Sequence, residues 1–241
     1  MLIKTRGIVL KTKKYSETSI IADVYTEEKG LRTYIISGVR SKKARVSAGL
    51  LQIMTVVDIV AYHREKKGMT RLKEIKPHHV FQSIPFNVQK AAVGMFMTEI
   101  ARKTIRGEEA DAELFDFLLG NFVFLDSTAH PFANLHLHFM AKLTEHLGFL
   151  PNDNFAEDRP FFDLEEGNFQ PVHPLHPHWL NEDLSKKLSL LLQVPKEQCH
   201  QIPMSRQGRK SLLHGLLNFY RLHIDNFPAI HSHEILEEVL G

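Results

Sequence analysis

Apolar and polar residues alternate along the first 80 residues of the chain. In the segment 18–26, Ile20, Ala22 and Val24 fall on one side of an extended chain, and the residues between them fall on the other. A period of two with many β-branched residues is typical of half-buried β-strands. The same pattern, interrupted by short polar turns, predicts strands over residues 6–14, 18–26, 31–37, 53–62 and 69–75.

The spacing of these strands predicts a small β-barrel. Most connections between them are short, and the one longer connection, 38–51, lies between the third and fourth strands. Five short antiparallel strands in this arrangement are typical of a Greek-key barrel of the OB type. An SH3-like barrel is the main structural alternative.

From Asn87 onward the apolar residues recur with the period of an amphipathic helix. The segment 149–178 is the exception, because it holds five prolines and no sustained period. We therefore expect an α+β chain, with an OB-fold domain over 1–80 and a mostly helical domain over 81–241. The predicted helices cover residues 88–106, 111–125, 131–147, 179–192, 205–227 and 233–240, and 149–178 is expected to be an irregular, cysteine-free insert.

Composition changes at the same place as the periodicity. Residues 1–80 contain 17 Lys and Arg against 7 Asp and Glu, a net charge of +10, whereas residues 81–241 carry a net charge of −8. All 16 phenylalanines lie at or beyond Phe81. The length of 241 residues fits two small domains, and these changes indicate where one would end.

Several classes of protein are excluded or disfavoured by the sequence. Cys199 is the single cysteine, so internal disulfides and cysteine-based zinc sites are excluded. No apolar run approaches the roughly 20 residues of a membrane helix, and the charged start does not resemble a secretory signal, so we expect a cytoplasmic protein without membrane contact. Walker A, GxGxxG, GxSxG and HExxH motifs are missing, and we expect no enzymatic activity, catalytic residues or cofactor.

A group of histidines keeps one metal hypothesis open. His173, His176 and His178 are close in sequence, and a metal-dependent hydrolase could use them if their loop folded back. Two prolines separate the three residues, whereas metal ligands need a rigid surrounding shell. A solvated loop is the simpler interpretation.

The basic first domain favours binding to nucleic acid. Barrel faces and their connecting loops are where OB domains bind nucleic acid, and a positively charged groove follows the phosphate backbone. There are two alternatives. The lysines could serve only solubility and blunt the sheet edges, or the protein is a protein–protein adaptor whose basic barrel binds acidic peptides. The candidate DNA-binding residues are Arg6, Lys11, Lys13, Arg40, Lys42, Lys43, Arg45, Lys66, Lys67, Arg71 and Lys73.

A second basic cluster marks a helix in the last 40 residues. Its cationic residues are Arg206, Arg209, Lys210 and Arg221, beside an apolar stripe that we assign to the core. Such a cluster could contact DNA or an acidic, hydrophobic peptide, or it could be a solvated helix end.

The beginning of the chain resembles the RecO family of bacterial recombination mediators. The similarity lies in the strand Gly7–Leu10, the polar turn Tyr15–Thr18, the Gly-containing turn Glu28–Gly30 and the sequence Gly38-Val39-Arg40 before a basic loop. The helix Leu212–Ile224 is similar to the family's carboxy-terminal helix.

The resemblance implies an OB domain followed by a helical domain, and no reaction chemistry. It implies binding to single- and double-stranded DNA, annealing of complementary strands, association with the nucleoid, and help in loading the RecA recombinase. The implied protein partners are RecR and the acidic C-terminal tail of the single-stranded DNA-binding protein.

The chain departs from the family pattern in one respect. Many family members carry a four-cysteine zinc module after the third helix, but the stretch 149–174 contains no cysteine. We expect no zinc module here, and an insert held by the packing of Phe155, Phe161, Phe162 and Phe169.

Overall fold

A computed structural model describes residues 2–37, 39, 48–62, 68–107 and 109–240 of the chain. Within them, the first strands are β1 (Leu2–Lys14), β2 (Ile20–Thr26), β3 (Gly30–Ile36), β4 (Val56–Tyr62) and β5 (Thr70–His79). They form a closed barrel in the order β1-β2-β3-β5-β4. Strands β3 and β5 pair in parallel, and the other neighbours are antiparallel. The predicted OB-type barrel is confirmed.

The barrel is closed around apolar side chains from alternate strand positions. Val9, Val24, Tyr34 and Ile59 belong to this core and are almost fully buried. Burial raises the pKa of Tyr34 to about 12, so its hydroxyl stays neutral. Gly7 allows β1 and β2 to approach closely, because a Cβ atom there would lie 2.6 Å from a methyl carbon of Val24.

The helices of the described chain follow the sequence pattern closely. They are α1 (Val88–Thr104), α2 (Ala112–Ser127), α3 (Leu135–Leu147), α4 (Glu182–Gln193), α5 (Arg206–His223) and α6 (Ser232–Val239). Two predicted helix starts are wrong. Helix α3 begins after Asn134 rather than at Pro131, and α4 begins after Asn181, whose side chain caps it by accepting a hydrogen bond from the amide of Leu184.

A small sheet occupies part of the predicted irregular insert and the first two residues of the predicted helix 179–192. Strands β6 (Phe161–Asp163), β7 (Asn168–Gln170) and β8 (Trp179–Leu180) pair in the order β7-β6-β8. Strands of two or three residues are too short to produce a recognisable alternation, which is why the sequence pattern missed them. As expected, aromatic rings pack within the insert: the Phe162 and Phe169 ring centroids are 4.8 Å apart, and those of Phe155 and Phe169 are 5.4 Å apart. Phe161 packs against Trp179, just beyond the insert, with ring centroids 5.6 Å apart.

The chain divides into two compact units. One comprises Met1–Pro85 with Ile105–Val123, and the other comprises Phe86–Thr104 with Phe124–Gly241. The segment Ile105–Val123, which the sequence pattern placed in the helical domain, therefore belongs to the barrel unit. Among the described residues, none of the helices is long and apolar enough to cross a membrane.

Candidate nucleic-acid interface

A continuous row of side chains crosses the outside of the barrel. In the strand register, Lys13 of β1 pairs with Ile21 of β2, Ile21 pairs with Ile35 of β3, and Ile35 pairs with Arg71 of β5. The neighbouring positions Ala22 and Tyr34 point into the core, so Ile21 and Ile35 must point outward. The row places an apolar pair between two cations.

Two further cations, Lys11 and Lys73, extend this row. We call the whole set the barrel face: Lys11, Lys13, Ile21, Ile35, Arg71 and Lys73. Lys11 lies opposite Asp23, whose carboxylate already accepts a hydrogen bond from the Thr33 hydroxyl. Lys73 falls where the β4–β5 register shifts, a bulge that re-aims side chains.

The lysines and the arginine of the barrel face are available for a ligand. All four of these side chains are exposed, and none makes an ion pair with another described residue. Lys13 and Arg71 are separated by three strand spacings, about 14 Å. Cations at that separation can contact different phosphates of one nucleic-acid strand.

Arg6 is paired with an acidic side chain of the protein itself. Its guanidinium makes two hydrogen bonds with the carboxylate of Glu27, at 2.6 and 2.8 Å, and lies over the ring of Phe115. The hydrogen bonds from Arg6 lower the pKa of Glu27, and the pair raises the pKa of Arg6. The charge of Arg6 is neutralised within the protein, and we leave it out of the barrel face.

The remaining candidate cations of the first domain lie outside the described residues. They are Arg40, Lys42, Lys43, Arg45, Lys66 and Lys67. The described strand ends that flank them are neighbours in the barrel, because β3 ends at Ile36 and β5 begins at Thr70, which pairs with Tyr34.

The tyrosines of the barrel separate into two groups. Tyr25 and Tyr34 are buried, at 2% and 1% exposure, and the Tyr25 hydroxyl donates to the backbone oxygen of Asp111. Tyr15 is 56% exposed and follows Lys14 directly in sequence. Tyr62, the last residue of β4, is 46% exposed. Base stacking on an aromatic ring requires such exposure, so Tyr15 and Tyr62 are better candidates than the two buried tyrosines.

The second basic cluster borders a cavity of about 370 Å³ formed by α5 and α6. The exposed residues Arg206 and Lys210 line it, and Leu236 of α6 and Leu240 directly after that helix contribute apolar walls. The Nζ atom of Lys210 is 2.9 Å from a carboxylate oxygen of Glu237. Arg209 also lines it, while its guanidinium donates to the backbone oxygen of Met204 at 2.7 Å. We call this cavity the α5–α6 pocket.

The structure separates the apolar stripe of α5 from its basic residues, and it separates Arg221 from the rest of the basic cluster. Leu213 and Leu217 are buried, which confirms that the apolar stripe is mainly core, although Leu213 also reaches the pocket. Arg221 is exposed but is not among the residues that line the pocket. Arg221 follows Lys210 by eleven residues, so it lies about three helical turns farther along α5.

The contribution of α6 to this pocket was missed by the sequence reasoning. The apolar positions Leu236 and Leu240 are four residues apart, a spacing that marks one helix face, but nothing local says which helix that face meets. His136 forms part of the pocket floor, and burial lowers its pKa to about 3, so the ring is neutral.

The three histidines of the insert are engaged by different partners. His176 lies 3.3 Å from the carboxylate of Asp163, and His178 lies 2.9 Å from the side-chain amide of Asn218. The ring of His173 stacks on Trp179. The ring centroids of His176 and His178 are 6.0 Å apart, but the three imidazoles, all within the described residues, do not place their nitrogens within 4.8 Å of one another.

Comparison with known proteins gives a consistent result over nearly the whole chain. Residues 1–81 match the family model described as Recombination protein O N terminal, and residues 85–231 match Recombination protein O C terminal. Three similar proteins, each named DNA repair protein RecO, come from Phocaeicola vulgatus, Bacteroides fragilis and Christiangramia forsetii. They are 34%, 35% and 37% identical to this chain, and the alignments cover at least 99% of both chains.

Proposed function

The chain belongs to the recombination protein O family, and from that premise we propose that it acts in DNA repair as a DNA-binding recombination mediator. The observation that carries the proposal is the barrel face, where exposed cations flank an outward-facing apolar pair. OB barrels bind oligonucleotides on such faces.

The barrel face suits a single strand of DNA. Phosphates contact cations without reference to sequence, and each neutralised phosphate releases counterions, which favours binding. The exposed edges of Ile21 and Ile35, with Tyr15 near one end, offer surfaces against which unpaired bases can pack. The net charge of +10 over residues 1–80 adds a long-range attraction for DNA.

The mediator role follows from charge neutralisation. A molecule that neutralises the phosphates of two complementary strands reduces their mutual repulsion and allows them to anneal. We propose that this activity, with RecR as partner, helps load the RecA recombinase onto DNA that is coated by single-stranded DNA-binding protein. No step of this role makes or breaks a covalent bond.

The α5–α6 pocket is the proposed site for the acidic tail of the single-stranded DNA-binding protein. Its lining includes Arg206, which can pair with a carboxylate, and Leu236 and Leu240, which can bury an apolar side chain. Lys210 also lines the pocket but is already paired with Glu237. An acidic peptide with an apolar residue would satisfy both halves of this surface. Its docking would bring the barrel to DNA that the partner already covers.

The test is the binding of a labelled single-stranded oligonucleotide, followed by fluorescence anisotropy at several salt concentrations. We expect the logarithm of the binding constant to fall linearly with the logarithm of the salt concentration. Complementary oligonucleotides should anneal faster with the protein than without it. No DNA binding at low salt, together with tight binding of an acidic peptide to the barrel, would instead establish the adaptor alternative.

A further inference from the structure

Three metal-binding side chains converge beside the α5–α6 pocket. They are His214 of α5 and His233 and Glu237 of α6, and one potential ligand atom from each lies within 4.8 Å of those of the other two. These three residues could not be grouped from the sequence, because α5 and α6 are separated by a loop and only their packing unites the three.

The helix geometry holds this cluster together. His233 and Glu237 are four residues apart on α6, so their side chains lie on one face. The imidazole Nε2 of His214 is 2.8 Å from Oε1 of Glu237, and the two histidine rings have centroids 6.0 Å apart. Ligands at 2.0–2.1 Å from a tetrahedral ion are about 3.3 Å apart, so small side-chain rotations would complete the set.

One nitrogen of the cluster is left without a partner. Nδ1 of His233 is buried and makes no hydrogen bond with any described residue. A buried polar atom without a partner carries a desolvation cost, and most such atoms in proteins are satisfied. A metal ion bound through this nitrogen would satisfy it.

The surroundings of Glu237 suit a ligand rather than a simple ion pair. Its second oxygen, Oε2, accepts a hydrogen bond from Nζ of Lys210 at 2.9 Å. A carboxylate held in this way by an outer residue is oriented with its other oxygen, Oε1, towards His214, and an ion bound there would replace the contact between Oε1 and His214 Nε2. Lys210 and His214 are four residues apart and lie on one face of α5, so both can contact the same carboxylate.

We propose that His214, His233 and Glu237 form a binding site for Zn²⁺. Two imidazole nitrogens and one carboxylate favour a borderline transition metal over Mg²⁺ or Ca²⁺, which prefer oxygen ligands alone. Three protein ligands leave a fourth position for water or for the carboxylate of a bound molecule. The ion would tie α6 to α5 and neutralise Glu237 at the pocket rim. This site does not depend on the proposed DNA-binding function.

The experiment is a Zn²⁺ titration of the full chain without a histidine tag, followed by calorimetry, with Co²⁺ absorption as a spectroscopic check of the ligand set. His214→Asn is the main variant, because His214 is exposed and its replacement leaves the core untouched. His233→Gln and Glu237→Gln test the other ligands. His231→Gln is the matched control, since it changes an exposed histidine two residues from His233.

We expect one Zn²⁺ per chain, a zinc-dependent rise in the thermal midpoint, and binding at least about tenfold weaker in the ligand variants. The control should bind as the wild type does. The combined variant His173→Asn, His176→Asn and His178→Asn identifies any ion held by the insert. Zinc binding that is lost in this combined variant but kept in His214→Asn would overturn the proposal, as would the absence of stoichiometric binding by the wild type. If His233→Gln fails to fold, His214→Asn still decides the outcome.

Discussion

Lys13 and Arg71 lie at opposite ends of one register row that crosses four barrel strands, with Ile21 and Ile35 between them. The two cations are 58 positions apart in the sequence and about 14 Å apart across the sheet. Their relationship depends on the parallel pairing of β3 with β5, which closes this side of the barrel.

This row leads to a prediction about salt dependence. Lys13→Ala and Arg71→Ala should each weaken binding to single-stranded DNA, and each should reduce the slope of log K against log salt by about 0.7, since one phosphate contact is lost. The double variant should reduce the slope by about 1.4. Fluorescence anisotropy at several salt concentrations measures both quantities.

Lys186→Ala is the control for this prediction, because it removes one exposed charge from α4 in the other unit. It should leave the slope unchanged. A slope that fell equally in Lys186→Ala would show that total charge, and not the barrel face, governs binding.

The Arg6–Glu27 ion pair should act on stability and not on DNA binding. Both side chains are about 30% exposed, so Arg6→Ala should lower the free energy of unfolding by about 1 kcal/mol. The pKa of Glu27 is lowered in the fold, so its contribution is present above its unfolded pKa and is lost as pH falls through the folded value. The stability deficit of Arg6→Ala should therefore shrink in acid.

Urea unfolding at neutral and acidic pH measures this effect. A large loss of DNA affinity in Arg6→Ala would instead show that Arg6 belongs to the DNA interface.

Glu99 should anchor α6. Burial by itself would raise its pKa, but hydrogen bonds from Lys103, Ser232 and the amide of His231 lower it to about 2. Its contribution to stability is accordingly present above the unfolded pKa and is lost as pH falls towards about 2. Glu99→Ala should leave the amides at the start of α6 without their acceptor.

Hydrogen exchange provides the measurement for Glu99. Amides of Ser232–Val239 should exchange faster in Glu99→Ala, while those of α3 should be little changed. Losing hydrogen bonds to a charged acceptor should cost about 2 kcal/mol of unfolding free energy. Unaltered exchange in α6 would mean that packing alone holds this helix.

Arg206 and Arg221, two cations of α5, should differ in their contribution to peptide binding at the α5–α6 pocket. Arg206→Ala should weaken the binding of an acidic peptide with an apolar end by about tenfold, equivalent to about 1.4 kcal/mol. Arg221→Ala removes the same charge from α5 but lies outside the pocket lining, so it should bind the peptide as the wild type does. Calorimetry with a synthetic peptide compares the two, and equal losses would assign the effect to general charge.

Much of the fold was predictable because strands and helices depend on local patterns. Alternation predicted a strand over 18–26, where β2 spans Ile20–Thr26. Helical spacing predicted a helix over 88–106, where α1 spans Val88–Thr104. The small sheet of the insert was missed, since Phe161–Asp163 is too short to show any period. The family was also identified from local residues, and the comparisons confirm it.

The candidate sites could be predicted only in part. Charge counting selected Lys13 and Arg71 correctly as exposed cations, but it selected Arg6 equally, because pairing with Glu27 is invisible in a linear sequence. The role of α6 was missed for the same reason.

The sequence by itself determined the types of the longer elements, the barrel class, the charge asymmetry and the family, because each depends on residues that are near neighbours in the chain or on composition. Only the tertiary structure decided which charges are neutralised, which cations share the barrel face, and that His214 meets His233 and Glu237. The physical reason is that strand register and helix packing are set by long-range burial of apolar surface. A single sequence does not state which distant positions that burial brings together.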